Sequence, residues 1–259
     1  MKKSFIPLAL VGLVGLAEAA VVTKAVPYEI DGEAFEGMLI YDNAVTSPRP
    51  GLLMVPDWLG VTEESAKLAA RAAGSKYVVF MADMYGKAVR PSNPDEAKAA
   101  ATLVRADRAM MRKRAQAAVE VLKAQAPQVD TGKLGAIGFC FGGGSVLELA
   151  RSGAPLKGFV SFHGNLDTPN PADAQNIKAP VLVLHGANDP SVPQAQVDGF
   201  IAEMKAAKTD WQLVSYGGAV HSFTNPLANV PGRNQYHPLV ASRAFKAMND
   251  LFDEVLAAP

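Results

Sequence analysis

Six short apolar runs, separated by stretches of helical character, most constrain what this chain can fold into. They are Leu52 to Val55, Tyr77 to Met81, Leu134 to Phe139, Gly158 to Phe162, Val181 to Leu184 and Trp211 to Tyr216. Dense in Val, Leu, Ile and Phe, they read as strands buried on both faces, and their alternation with helices predicts an α/β protein with a largely parallel sheet covered on both sides. Ahead of them, Val21 to Tyr41 reads as β-rich, with a hairpin turning near Asp31-Gly32. Thr62 can cap a helix that carries Glu63 and Glu64 in its first turn and ends at Gly74. A second helical stretch starts at Asn93-Pro94 and continues to about Gln125, long enough for two helices. Pro238 to Leu256 places Leu239, Phe245, Met248, Leu251, Phe252 and Val255 largely on one face, as a packed terminal helix requires.

Composition removes several alternatives. The 259 residues carry 25 basic and 25 acidic side chains and are 49% hydrophobic, so the chain can bury a large core and has no net charge to draw it to nucleic acid or anionic lipid. One cysteine cannot form a disulfide within its own chain. Met1-Lys2-Lys3, the apolar stretch Ile6 to Leu16 and the small residues Ala17 and Ala19 read as a cleaved export signal at 1–19. The apolar run is too short for a bilayer-spanning anchor. The expectation is an exported protein, periplasmic or secreted, with no stable membrane anchor after cleavage. Residues 20–259 show no repeat and no Gly-, Ser- or Pro-rich linker, so one domain and a monomer are expected.

The segment Leu134 to Ser145 carries the chemistry. An apolar strand enters Gly138-Phe139-Cys140-Phe141-Gly142 and a helix follows, which is a nucleophile elbow with Cys in place of Ser. So tight a turn needs small residues two before and two after the nucleophile, and Gly138 and Gly142 stand there. The sulfur is thereby set at a helix N-terminus, where the dipole favours thiolate over thiol. A small buried hydrophobe beside a glycine-rich contact is the bland alternative for Cys140.

Two further segments complete a constellation. The apolar run at Val181 delivers Asp189 just beyond its C-terminal end, and Tyr216-Gly-Gly-Ala-Val-His221 sets a histidine after the next strand. Nucleophile, acid and histidine then follow in the chain order of α/β-hydrolases. His221 would handle the thiol proton and later activate water, while Asp189 fixes its tautomer and orientation. His163 and His185 also sit at strand ends, but His185 precedes Gly186 too early to take part, and His237 beside Pro238 reads as a helix-start residue.

Cys140 in GFCFGG, Asp189 in HGANDPSVP and His221 in VHSF resemble the motifs of the dienelactone hydrolase family, over nearly all of residues 20–259. The resemblance implies an α/β-hydrolase fold and cofactor-free hydrolysis of a small-molecule ester or lactone through a thioester acyl-enzyme. It implies an oxyanion hole from the backbone N–H groups of Phe141 and Trp58, and an auxiliary acid at Asp57, one methylene shorter than the family's usual Glu. Trp58 reads either as a core aromatic or, on a loop after a strand, as a substrate wall. Where the family places a carboxylate-gripping arginine, four residues after the histidine, this chain has Asn225. Lys87 and Arg90 are the remaining substrate-binding candidates, and a neutral or differently charged ester is among the expected substrates.

Arg105, Arg108, Arg112, Lys113 and Arg114 form a basic patch that reads as a solvated helix face, not a polyanion site. No Cys/His spacing suggests a metal. A general carboxylesterase or acyltransferase on the same three residues, and a non-catalytic binding protein retaining the fold, stand as the alternatives.

Overall fold

The computed structural model describes residues 21–125 and 128–257; the export signal read at 1–19 lies outside the described residues. β1 (Val21–Ile30) and β2 (Glu33–Asp42) form an antiparallel hairpin. Its two-residue turn is Asp31-Gly32, with φ of +53° and +79°, as a turn that matches strand twist demands. Then come β3 (Arg49–Val55), β4 (Val78–Met81), β5 (Val129–Phe139), β6 (Phe159–Phe162), β7 (Val181–Gly186) and β8 (Trp211–Tyr216). The sheet order is β1-β2-β4-β3-β5-β6-β7-β8, antiparallel from β1 to β4 and parallel beyond.

Period-two alternation along the central strands feeds two cores. On β3, Leu53 and Val55 face α2 (Pro94–Ala106), α3 (Arg108–Lys123), α4 (Phe141–Arg151) and α5 (Gln194–Ala207). Leu52 and Met54 face α1 (Glu63–Ala73) and α6 (Pro238–Ala257) on the other side. Thr62 caps α1, its Oγ1 accepting from the Ser65 N–H at 3.1 Å. The long helical stretch does divide: Asp107 breaks it and caps α3 by accepting from the Met110 N–H at 2.9 Å.

Two expectations are corrected. The run Trp211 to Tyr216 is β8, the edge strand of the sheet among the described residues, and is only half-buried. Leu239 is 54% exposed, because the buried stripe of α6 starts one residue later at Val240 and continues through Ala244, Phe245, Met248 and Phe252.

α4 is fixed from below by a buried ion cluster. Arg151 donates from Nε and Nη2 to the Glu203 carboxylate of α5 at 2.7 and 2.8 Å and from Nη1 to Glu148 at 3.1 Å. Arg112 of α3 donates to Glu148 at 2.9 Å. Forked pairs of this kind hold three helices in one geometry, because a buried charge left unpaired is costly. The helix whose N-terminus carries Cys140 is therefore tied to both neighbours.

Candidate active site

At the end of β5 the chain turns into α4 through Cys140, whose φ of +55° and ψ of −117° are strained for a residue with a side chain. A Cβ on Gly138 would collide with the carbonyl of Gly142, and one on Gly142 with the carbonyls of Val55 and Pro56. These two glycines permit the backbone crossing that lifts the sulfur above the sheet.

The C-terminal ends of the parallel strands bring the other groups to it. His221, after β8, has Nε2 3.0 Å from the Cys140 Sγ and Nδ1 2.7 Å from Oδ2 of Asp189, which follows β7. The Asp189 side chain is fully buried, and its Oδ1 accepts from the Ser191 N–H at 2.7 Å. Burial alone would lower the His221 pKa. The Cys140 charge and the hydrogen bonds to Asp189 and Cys140, together with the Asp189 charge, outweigh it and lift the imidazole from 6.5 to about 10. With its pKa raised in this way, the imidazole keeps its proton at neutral pH.

Asp57 and Trp58 follow β3. The Asp57 Oδ1 accepts from the Leu59 N–H at 2.9 Å, and no hydrogen bond joins it to Cys140 among the described residues. Desolvation raises its carboxyl above the ordinary range, against the opposing Leu59 hydrogen bond and the His221 charge. The Phe141 N–H is the first of α4 and has no acceptor within the helix, and the Trp58 N–H has none among the described residues. Both residues line a cleft of about 350 Å³ with Cys140 and His221.

Lys87, Arg90 and Asn225 do not line it. Lys87 pairs with Glu36 at 2.9 Å, and Arg90 with the buried Asp83 at 2.9 Å, both on the β2–β4 side of the sheet. Asn225 closes its own turn, accepting from the Leu227 N–H. The cations that do line the cleft are Lys98 and Arg105, seven residues apart on α2, and Arg233 between β9 (Asn229–Val230) and β10 (Asn234–Gln235). Arg105 also meets Asp167 at 3.4 Å. The Gln235 N–H donates to the His221 carbonyl at 3.0 Å, which ties that hairpin to the histidine loop. The rest of the basic patch is paired instead of merely solvated: Arg108 with Asp167, Arg112 with Glu148 and Asp173, Lys113 with Asp31, Arg114 with Glu33.

One neighbour of the site is a histidine that the sequence sets at a strand end without giving it a role. His163, buried after β6 at a φ of +40°, sets its ring edge-to-face on His221 with centroids 5.1 Å apart, and its Nε2 lies 2.8 Å from the Thr224 Oγ1. Burial, reinforced by the His221 charge, holds its pKa well below 6.5. In the unfolded chain this histidine takes up a proton near 6.5 while the folded one stays neutral. Stability is therefore lost as pH falls below about 6.5, by up to about 1.4 kcal/mol per pH unit. Urea unfolding between pH 7 and 5 should show a smaller acid loss in His163→Gln than in the unmodified protein; equal slopes would rule this group out as the source.

Among the described residues there is no group of three or more His, Cys, Asp and Glu able to hold a metal, and no helix long and apolar enough to cross a membrane. A mostly parallel sheet with a strained strand-to-helix turn at Cys140 and an acid and a histidine on later strand ends defines an α/β-hydrolase fold. The profile of the dienelactone hydrolase family matches residues 35–256, and the chain belongs to that family, a hydrolase of the carboxylic ester and lactone class. A solved structure described as "m3DLH" is 38% identical with a TM-score of 0.86, the match covering 92% of this chain and 99% of that one. A dienelactone hydrolase-like promiscuous phosphotriesterase, P91, from metagenomic libraries is also 38% identical, with a TM-score of 0.84, over 91% of this chain and 99% of its own. A Yersinia pestis protein provisionally named carboxymethylenebutenolidase is 28% identical over 81% of this chain and 79% of its length.

Proposed function

We propose that the protein hydrolyses an ester or lactone bearing an anionic group through a thioester on Cys140, with His221 and Asp189 as its partners. The observation that carries this reading is the continuous contact from Asp189 Oδ2 through His221 to Sγ, 2.7 and 3.0 Å long, on the wall of the cleft. The Cys140 thiolate attacks the carbonyl carbon, and the new oxyanion takes the N–H groups of Phe141 and Trp58. The C–O bond breaks as the His221 imidazolium gives its proton to the leaving oxygen. Neutral His221 then removes a proton from water. The hydroxide adds to the thioester, and the thiolate leaves beside an imidazolium again. Lys98, Arg105 and Arg233 supply the positive wall for the anionic group.

Export is part of the same reading, with the mature chain beginning at Ala20. One experiment addresses both. The full chain is expressed in cells with an intact export route, then quenched during turnover of a slow aryl ester and weighed by mass spectrometry. The expected mass is that of residues 20–259 plus one acyl group, mapped to Cys140. An ester panel in which anionic members are turned over no better than neutral ones would discard the cationic wall, and turnover with no adduct on Cys140 would discard the thioester.

A further inference from the structure

Tyr85 is 4% exposed in the segment after β4 and is joined to the turn that carries Trp58. Its hydroxyl donates to the Trp58 carbonyl at 2.8 Å. The other end of that same peptide unit, the Leu59 N–H, donates to the Asp57 Oδ1 at 2.9 Å, and the Gly60 N–H closes the turn on the Asp57 carbonyl at 2.9 Å. Gly60, at a φ of +77°, lies so near the tyrosine ring that a Cβ there would stand 3.2 Å from two of its carbons. The same ring meets Phe141 with centroids 5.7 Å apart. One side chain thus touches both residues whose N–H groups are the candidate oxyanion donors.

Its own anchor is equally defined. The N–H groups of Tyr85 and Gly86 donate to the Asp83 Oδ1 at 3.0 and 3.1 Å, and Arg90 pairs with the second oxygen of that buried carboxylate. Burial, with the charges of Asp57, Cys140 and Asp83, raises the phenol pKa above its ordinary value, so the hydroxyl stays a donor at any working pH.

We propose that Tyr85 is a positioning residue that sets the Asp57–Gly60 turn, and with it the Trp58 N–H, where charge develops on the reacting carbonyl. This rests on the acyl-enzyme reading above. A donor aimed at the transition state lowers the barrier only if it is already in place, and a misplacement of about 1 Å can cost on the order of 100-fold.

The test is Tyr85→Phe, which removes the hydroxyl and keeps the ring, measured in two reactions. Ester hydrolysis passes through an oxyanion; alkylation of Cys140 by iodoacetamide displaces iodide and passes through none. The expected result is a kcat lower by about tenfold or more with KM within about twofold, and an alkylation rate equal to that of the unmodified protein. The equal alkylation rate also reports an intact fold and an intact Cys140–His221 pair. Unchanged hydrolysis, a loss confined to KM, or a parallel loss of alkylation each overturns the proposal. The absence of Cys140-dependent turnover in the unmodified protein is the separate failure of the acyl-enzyme reading and removes this inference with it.

Discussion

Cys140→Ala is expected to lower ester turnover by on the order of 10⁴-fold or more, to the level that binding and the backbone donors sustain without a nucleophile. The size follows from what the sulfur does in the proposed route: it forms the bond that splits a single hard displacement into two easier ones. Asp57 also lines the cleft, but its Oδ1 is held by the Leu59 N–H. The fold should tolerate the change, since the side chain is only partly buried and the strained φ of +55° is no worse for Ala than for Cys. Kinetics on an aryl ester and a denaturant midpoint check the two halves. A second consequence separates this from simple loss of shape. Without the thiolate charge, the His221 pKa should fall from about 10 toward the ordinary histidine range, readable by NMR titration. Activity within about tenfold of the unmodified protein would mean that the reaction does not pass through Cys140.

What could be read in advance was whatever local geometry imposes on residue type. The elbow shows in the sequence because only glycine fits at 138 and 142, where a Cβ would meet backbone carbonyls. The hairpin turn shows because Asp31-Gly32 is a pair that accepts positive φ at both positions. Asp189 and His221 were found from their seats at strand ends, which fixes them at one edge of the sheet before any distance is known.

The cationic wall was not legible, for a physical reason. Lys98 and Arg105 come from a helix distant in sequence from Cys140, Asp189 and His221, and Arg233 from the turn between two two-residue strands, so only the tertiary arrangement brings them together. Lys87 and Arg90 were drawn to the site by proximity in sequence to β4. The antiparallel pairing of β2 with β4 places Glu36 and Asp83 within their reach instead, and the ion pairs turn both side chains away from the cleft. Leu239 fits the apolar stripe of α6 by period alone, yet the helix meets the sheet one residue later. Tyr85 has no pattern to announce it, and His163 has only its seat at a strand end; what each does is set by tertiary contacts, with the Trp58 carbonyl and the Phe141 ring and with the His221 ring.

Asp189→Asn should lower kcat by on the order of 10²–10⁴ while leaving the fold in place. The amide can still accept the Ser191 N–H at the position of Oδ1, so the turn that begins at Asp189 keeps its hydrogen bond. What changes is the contact of 2.7 Å with the His221 Nδ1. The carboxylate accepts the Nδ1–H, which holds the ring in the orientation that presents Nε2 to Sγ, and its charge favours the imidazolium. An asparagine that turns its NH₂ toward Nδ1 selects the opposite tautomer, and one that turns its oxygen there keeps the orientation but loses the charge. Either way the proton on His221 is held less tightly. Because the pKa of this imidazole is raised, the imidazolium in the unmodified protein persists as pH rises until about 10, and the alkaline limb of activity should lie there. In the variant that limb moves to lower pH, and part of the lost rate at pH 8 returns at pH 6. A uniform loss of rate at every pH would point to misorientation alone. No loss, with an alkaline limb that does not move, would reduce Asp189 to a turn residue and leave His221 oriented by its other neighbours, the His163 ring among them.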